Sequence, residues 1–245
     1  MKTKTSGIII IGDEILSGMV KDTNSAFIIE NLRDTGVEIK RILTIGDDID
    51  EIAHEIRVFA DRYDLVFTSG GIGPTHDDVT IEAISKGFGV ETVKHNTLIE
   101  HLRKIIGKEP SEIQQRMSLI PKGAEVIADK DIALPLIIFR NIYILPGIPK
   151  CLQRKILIIK KILGQGLSAT VKRVYVNDFE SVIAPILNNL VSNNKHIKIG
   201  SYPTMDKSDY KVMVSFTGYD KDELDRLVQH FVSMIPNDKI VKIEI

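Results

Sequence analysis

An α/β domain followed by a smaller α+β unit is the fold class this sequence predicts, and three observations predict it. Short apolar runs alternate with helical periodicity from residue 7 to residue 163, the pattern of a parallel sheet joined by right-handed crossovers. Two of those runs end in glycine- and proline-bearing turns, SGGIGPT and LPGIP. The small, polar stretch GQGLSAT (164–170) then separates this pattern from a second one, so the expected units are 1–166 and 167–245.

In chain order, residues 7–11 form an apolar strand suited to burial on both faces. Gly12 turns the chain, and Asp13 and Glu14 sit at the strand's carboxyl end, where ligands gather in open α/β sheets. Residues 21–36 read as a helix, capped by Thr23 or Asn24 and ended by Gly36, with Phe27, Ile28 and Leu32 inside. Residues 37–45 are a second strand. Asp48 caps the next helix with Glu51 three residues on, and Ile49, Ile52, Ala53, Ile56 and Phe59 make its core stripe.

Leu65, Val66 and Phe67 form a third strand, after which Asp77 or Asp78 is expected to cap a helix running through Ala83 and Ile84 toward Gly87. Further on, 98–106 reads as a helix stopped by Gly107, and Ser111 caps a short one. Apolar runs at 125–128 and 136–139 precede a buried strand at 141–145 and an amphipathic helix at 148–163. Strands at 172–176, 197–202, 210–217 and 240–245 and helices at 180–191 and 221–234 complete the chain. Their order is β-α-β-β-α-β, that of a ferredoxin-like fold. Asp206, Lys207 and Asp209 read as a solvated loop.

Composition narrows the function classes. Apolar residues make up 43% and charged residues 27% of 245, and the net charge is −1, so no global field favours nucleic acid or an anionic membrane. A single cysteine, Cys151, excludes an internal disulfide and a Cys-rich zinc site, and fits a reducing, cytoplasmic setting. It reads as a small packing residue or a half-exposed one. Four consecutive isoleucines near the N-terminus are too short for a membrane span. Apolar residues left unassigned between Val126 and Leu145 point to a homo-oligomer.

The chemistry concentrates in DLVFTSGGIGPTHDDVT (64–80), a strand, a glycine turn and an acidic helix start. Gly70, Gly71 and Gly73 allow backbone N–H groups to approach an anion closely, and Pro74 stiffens the turn. Asp77 and Asp78 would repel a bare phosphate, so a divalent cation bridging carboxylate and diphosphate is expected. The rival reading is a plain βα connection without ligand. The stretch fits neither GK[ST] nor GxGxxG.

Three stretches together, GDEILSG with DTN, SGGIGPTHDDVT, and LPGIP, resemble the molybdopterin-binding fold of MoaB and MogA, and in particular the N-terminal domain of CinA and the matching domain of eukaryotic FAD synthase. The likeness covers about residues 5–163. The tail is similar to the segment that follows that domain in CinA-type proteins, in a stand-alone form. It implies a three-layer α/β domain. Ser69 replaces the first Thr of the family's TGGxGPTxDDxT, and Asp131 to Leu136 stand where a GxAPG-type segment is usual, which would narrow the pocket.

The resemblance implies metal and substrate positions at Asp47 and Asp78, with Asp13 and Glu14 matching its GDE, Asp22 and Asn24 its DTN, and Gly147 and Pro149 its LPGxP. The reading it supports is a metal-dependent pyrophosphatase, using Mg²⁺, Mn²⁺ or Co²⁺, that cleaves ADP-ribose, FAD or a similar nucleotide diphosphate. Asp47 and Asp78 would hold the ion and His76 protonate the leaving group. Gly12, Asp13, Glu14, Asn24, Ser69, Gly70, Gly71, Gly73, Pro74, Thr75, Asp77, Thr80, Pro146, Gly147 and Pro149 would form the substrate site. Two alternatives stand beside it: a protein that binds molybdopterin or transfers adenylyl groups in molybdenum-cofactor biosynthesis, and a catalytically silent assembly domain.

Overall fold

A computed structural model of the chain describes residues 3–167, 169–205 and 209–244. Asp206, Lys207 and Ile245 lie outside them. Two compact units divide at Gly166 and Leu167.

The first unit begins with β1 (Lys4–Ile11), α1 (Asp13–Leu16), α2 (Asn24–Leu32), β2 (Val37–Ile45), α3 (Ile49–Arg62), β3 (Leu65–Ser69) and α4 (Thr80–Phe88). It continues with β4 (Thr92–Lys94), α5 (Asn96–Ile106), α6 (Glu112–Gln115), β5 (Leu119–Pro121), β6 (Glu125–Ile127), β7 (Leu136–Phe139), β8 (Ile142–Leu145) and α7 (Pro149–Leu163). Six strands form one sheet in the order β2-β1-β3-β8-β7-β6, and β4 pairs with β5 apart from it.

Period-2 alternation in the isoleucine run builds the layers. Ile9 and Ile11 face a core with Ile52, Ile56 and Phe59 of α3 and Ala83 and Ile84 of α4. Ile8 and Ile10 face the opposite core, with Ile28 and Leu32 of α2 and Leu152, Ile156 and Ile159 of α7. Each such side chain, removed from water, contributes on the order of 1.5–3 kcal/mol. Gly7 interrupts the run because a Cβ there would lie 2.4 Å from the Phe59 ring.

The sheet is not parallel throughout, as the βα alternation had suggested. β7 and β6 run antiparallel to β8. A two-residue connection, with Arg140 at φ 55, joins β7 to β8, and a connection that short permits only a hairpin. The apolar residues from Val126 to Leu145 pack into the protein's own two cores, which absorbs the reason for expecting self-association.

Helix α4 also differs at both ends. Its N-cap position is Val79, with no side-chain cap, and it stops at Gly89 in the left-handed region. Gly87 lies inside it, where a Cβ would sit 2.7 Å from the Ala53 carbonyl oxygen, so the glycine sets the close approach of α4 to α3.

The second unit holds β9 (Thr170–Val176), α8 (Glu180–Asn193), β10 (Lys198–Pro203), β11 (Val212–Gly218), α9 (Lys221–Ser233) and β12 (Ile240–Glu244). Its antiparallel sheet has the order β10-β11-β9-β12, the ferredoxin-like arrangement. Val174, Val214 and Phe216 pack there on Ile183, Leu187, Leu224 and Phe231. Buried Lys172 pairs with Asp225.

Candidate functional site

A cavity of about 870 Å³ opens in the first unit at the carboxyl ends of its parallel strands. The glycine turn after β3, the turn after β8, Glu14, residues 132–135 and one face of α7 line it.

Three sequence stretches are stitched together behind the wall. Asn24, buried at the start of α2, donates through Nδ2 to Ser69 Oγ (2.9 Å) and to the Gly147 carbonyl (2.7 Å). Ser69 Oγ lies 3.4 Å from the Pro146 carbonyl, to which it donates. Asp22, not Thr23 or Asn24, satisfies the first amides of α2, accepting from Asn24 N and Ser25 N. Buried Thr80 pins the glycine turn from the start of α4: its Oγ1 donates to the Gly70 carbonyl (2.9 Å) and its N–H to the Gly71 carbonyl (3.0 Å). Asn24, Ser69 and Thr80 therefore act as scaffold, off the cavity wall.

Asp78 has a role the sequence did not suggest. It caps the glycine turn rather than α4. Its carboxylate accepts from Gly73 N (2.6 Å), Thr75 N (2.8 Å) and Thr75 Oγ1 (2.5 Å). The Gly70 N–H is taken by the Leu145 carbonyl. Of the four amides from Gly70 to Gly73, those of Gly71 and Ile72 have no acceptor among the described residues, and both residues line the cavity. Gly71, at φ +64, could not carry a side chain, since a Cβ would meet Thr80 Oγ1 at 2.4 Å.

The acids divide into two sets. Glu14 and Asp78 are on the wall. Asp13 and Asp47 are off it, joined reciprocally: Asp13 N donates to Asp47 Oδ2 (3.0 Å) and Asp47 N to Asp13 Oδ1 (3.3 Å). Burial, followed by the neighbouring Asp13, Glu14 and Asp77 charges, holds the Asp47 carboxyl above the usual carboxylate range, against the Asp13 amide that favours its anion.

Of the expected Asp47–Asp78 pair, Asp78 lies on the wall and Asp47 in the adjoining loop clasp, within reach of the Glu14 and Asp77 charges, and Glu14 is the second wall carboxylate. Among the described residues no three His, Cys, Asp or Glu side chains group to hold a metal ion by themselves. One or two carboxylates with substrate phosphate and water are, however, the usual donor set for a Mg²⁺-like ion, and Glu14 and Asp78 beside two open amides fit that set.

Of the other expected site residues, Gly70, Gly73, Pro74, Pro146 and Gly147 line the cavity. Gly12, Thr75, Asp77 and Pro149 do not, and Pro149 serves as the first residue of α7. His76 does not either: its side chain is 98% exposed and 3.9 Å from Asp77, standing in solvent off the cavity wall.

Sequence reasoning missed Ile72, Arg116 and Lys155. Arg116 donates toward the Pro74 carbonyl (3.4 Å) and lines the cavity. Lys155 is 4% exposed on the α7 wall. The signal was the spacing of Ile148, Cys151 and Lys155, which places them on one helix face. Cys151 is exposed there.

Comparison with known proteins agrees with this architecture. The family model described as a probable molybdopterin binding domain matches residues 7–164, and that of the FAD synthase middle domain matches 168–244. An Archaeoglobus fulgidus protein is 37% identical over 237 residues, 95% of this chain and 98% of its own. A Caenorhabditis briggsae protein named probable FAD synthase is 30% identical over 86% of this chain but only 46% of its own length. In structure, the protein CinA from Thermoplasma acidophilum, described as of unknown function, superposes with a TM-score of 0.61 at 30% identity, over 66% of this chain and 99% of that one.

Proposed function

This chain belongs to the molybdopterin-binding domain family, and from that premise we propose that its cavity binds a nucleotide diphosphate, ADP-ribose or FAD in type, and hydrolyses the phosphoanhydride with the help of a divalent cation. The observation that carries the reading is the pair of open amides, Gly71 and Ile72, in a turn whose other donors are already satisfied. Fixed N–H groups of that kind stabilise the charge that develops on a phosphoryl oxygen.

The chain's own residues divide the work. Asp78 and Thr80 hold the turn in shape, so the two amides meet the diphosphate without reorganisation. Glu14 accepts a proton from the attacking water. Arg116, tethered to the Pro74 carbonyl, lends positive charge to the departing phosphate. Glu14 and Asp78 would hold the Mg²⁺, Mn²⁺ or Co²⁺ ion, with Asp47 supporting through Asp13. When bound, the cation would neutralise the diphosphate and acidify water. Ile72, Ile132, Leu134 and Ile148 supply an apolar wall for a base or ring.

AMP release decides the matter: purified protein is incubated with ADP-ribose, FAD or NAD and each of the three ions. Metal-dependent AMP from at least one of them is expected. No AMP from any, with tight binding of molybdopterin instead, overturns hydrolysis in favour of the pterin reading.

A further inference from the structure

The cavity face of α7 carries cations without counter-ions. Two lysines near the far end of that helix are paired, Lys160 with Asp34 at 2.7 Å and Lys161 with Asp131 at 3.8 Å. Arg154 and Lys155 line the cavity, and no carboxylate among the described residues pairs with either. Lys155 is the more telling. It is buried, and among the described residues the one acceptor that its Nζ meets is the Pro135 carbonyl. An ammonium has three N–H donors, so two remain for a ligand. A lysine buried against apolar residues would ordinarily be replaced by an apolar side chain or paired with an acid.

We propose that Lys155 is an oxyanion-binding residue of the cavity, taking a phosphoryl or carboxylate oxygen of the ligand while Pro135 holds its third donor. Burial alone pushes the Lys155 ammonium down to about 8, and Cys151 on the same helix face opposes the shift. The other charged groups on the wall are Glu14, Asp78, Glu82, Arg116 and Arg154. An oxyanion seated on Lys155 stabilises the protonated form, so binding raises its midpoint, and affinity falls as pH climbs past the free value. The proposal stands whether or not the ligand is hydrolysed.

Protein carrying [ε-¹³C]lysine tests it, with the Lys155 resonance assigned by its absence in K155R. Its pH midpoint is followed with inorganic pyrophosphate, ADP-ribose or succinate at millimolar concentration. A saturable rise of about one pH unit or more is expected, equivalent to about tenfold tighter binding to the protonated form. A response to the phosphates or to succinate names the source of the oxyanion. In binding assays K155M should lose about tenfold in affinity for the responding probe, and K155R should bind with no fall above pH 8. A midpoint unmoved by all three probes overturns the proposal. Equal binding by wild type and K155M does the same, leaving Lys155 as a brace for Pro135.

Discussion

Replacing Asp78 with Asn separates a carboxylate that shapes the glycine turn from one that serves only a metal. The carboxylate accepts three hydrogen bonds, one from Gly73 N and two from Thr75. Asn keeps one oxygen for Gly73 but turns an NH₂ group toward the two Thr75 donors. Two charge-assisted bonds are lost and a donor–donor contact appears. At a half-buried site this costs about 1–2 kcal/mol of local stability, less than the full value for buried charged pairs. Amide hydrogen exchange at Gly73 and Thr75 should quicken about tenfold, while the core strands keep their protection. Binding of ADP-ribose should weaken even in a chelator, because the Gly71 and Ile72 amides lose their aim. Unchanged exchange in the turn, with a defect confined to metal-dependent binding, would refute the reasoning.

Other expected outcomes follow from the same geometry. Asn24→Ala leaves the Gly147 carbonyl without its donor and Ser69 Oγ with only its bond to Pro146, and denaturant melts of the first unit should show a loss of about 1–3 kcal/mol. Gly71→Ala forces a side chain onto Thr80 at φ +64, and equilibrium dialysis should find ADP-ribose binding reduced about tenfold or more, with a destabilisation of about 1–2 kcal/mol. Lys155→Met removes a buried charge. Because the folded midpoint lies near 8, below a lysine's usual 10.5, the unfolded wild type binds more protons between those values. Wild-type stability relative to the variant should therefore rise with pH across that window, by roughly 3 kcal/mol in full, as read by urea melts at pH 7 and 10.5. His76→Ala should leave AMP release within about twofold, since that side chain is solvated.

Much of the fold was legible because burial writes itself into spacing. The isoleucine run announced a strand covered on both faces, and its alternation assigned each residue to one of two cores. The β-α-β-β-α-β order of the tail was likewise readable from its strand and helix lengths. The direction of β6 and β7 was not, since pairing direction depends on connection length and neither strand exceeds four residues.

At the site, the glycine turn and its acids were visible, but which amides stay open was not. That depends on Asp78 folding back on Gly73 and Thr75, a contact within five residues that spacing alone does not distinguish from a helix cap. Arg116 and Lys155 escaped for the opposite reason. They reach the cavity from elements remote in sequence, and a lysine in an amphipathic helix ordinarily marks a solvated face.

Backbone amide shifts during a titration of ¹⁵N-labelled protein with ADP-ribose and Mg²⁺ put the central claim to its most direct test. The Gly71 and Ile72 signals should move first and furthest, with the Gly70 amide held on Leu145 and the Gly73 amide held on Asp78 moving less. Saturable binding that leaves the Gly71 and Ile72 amides in place would contradict the account.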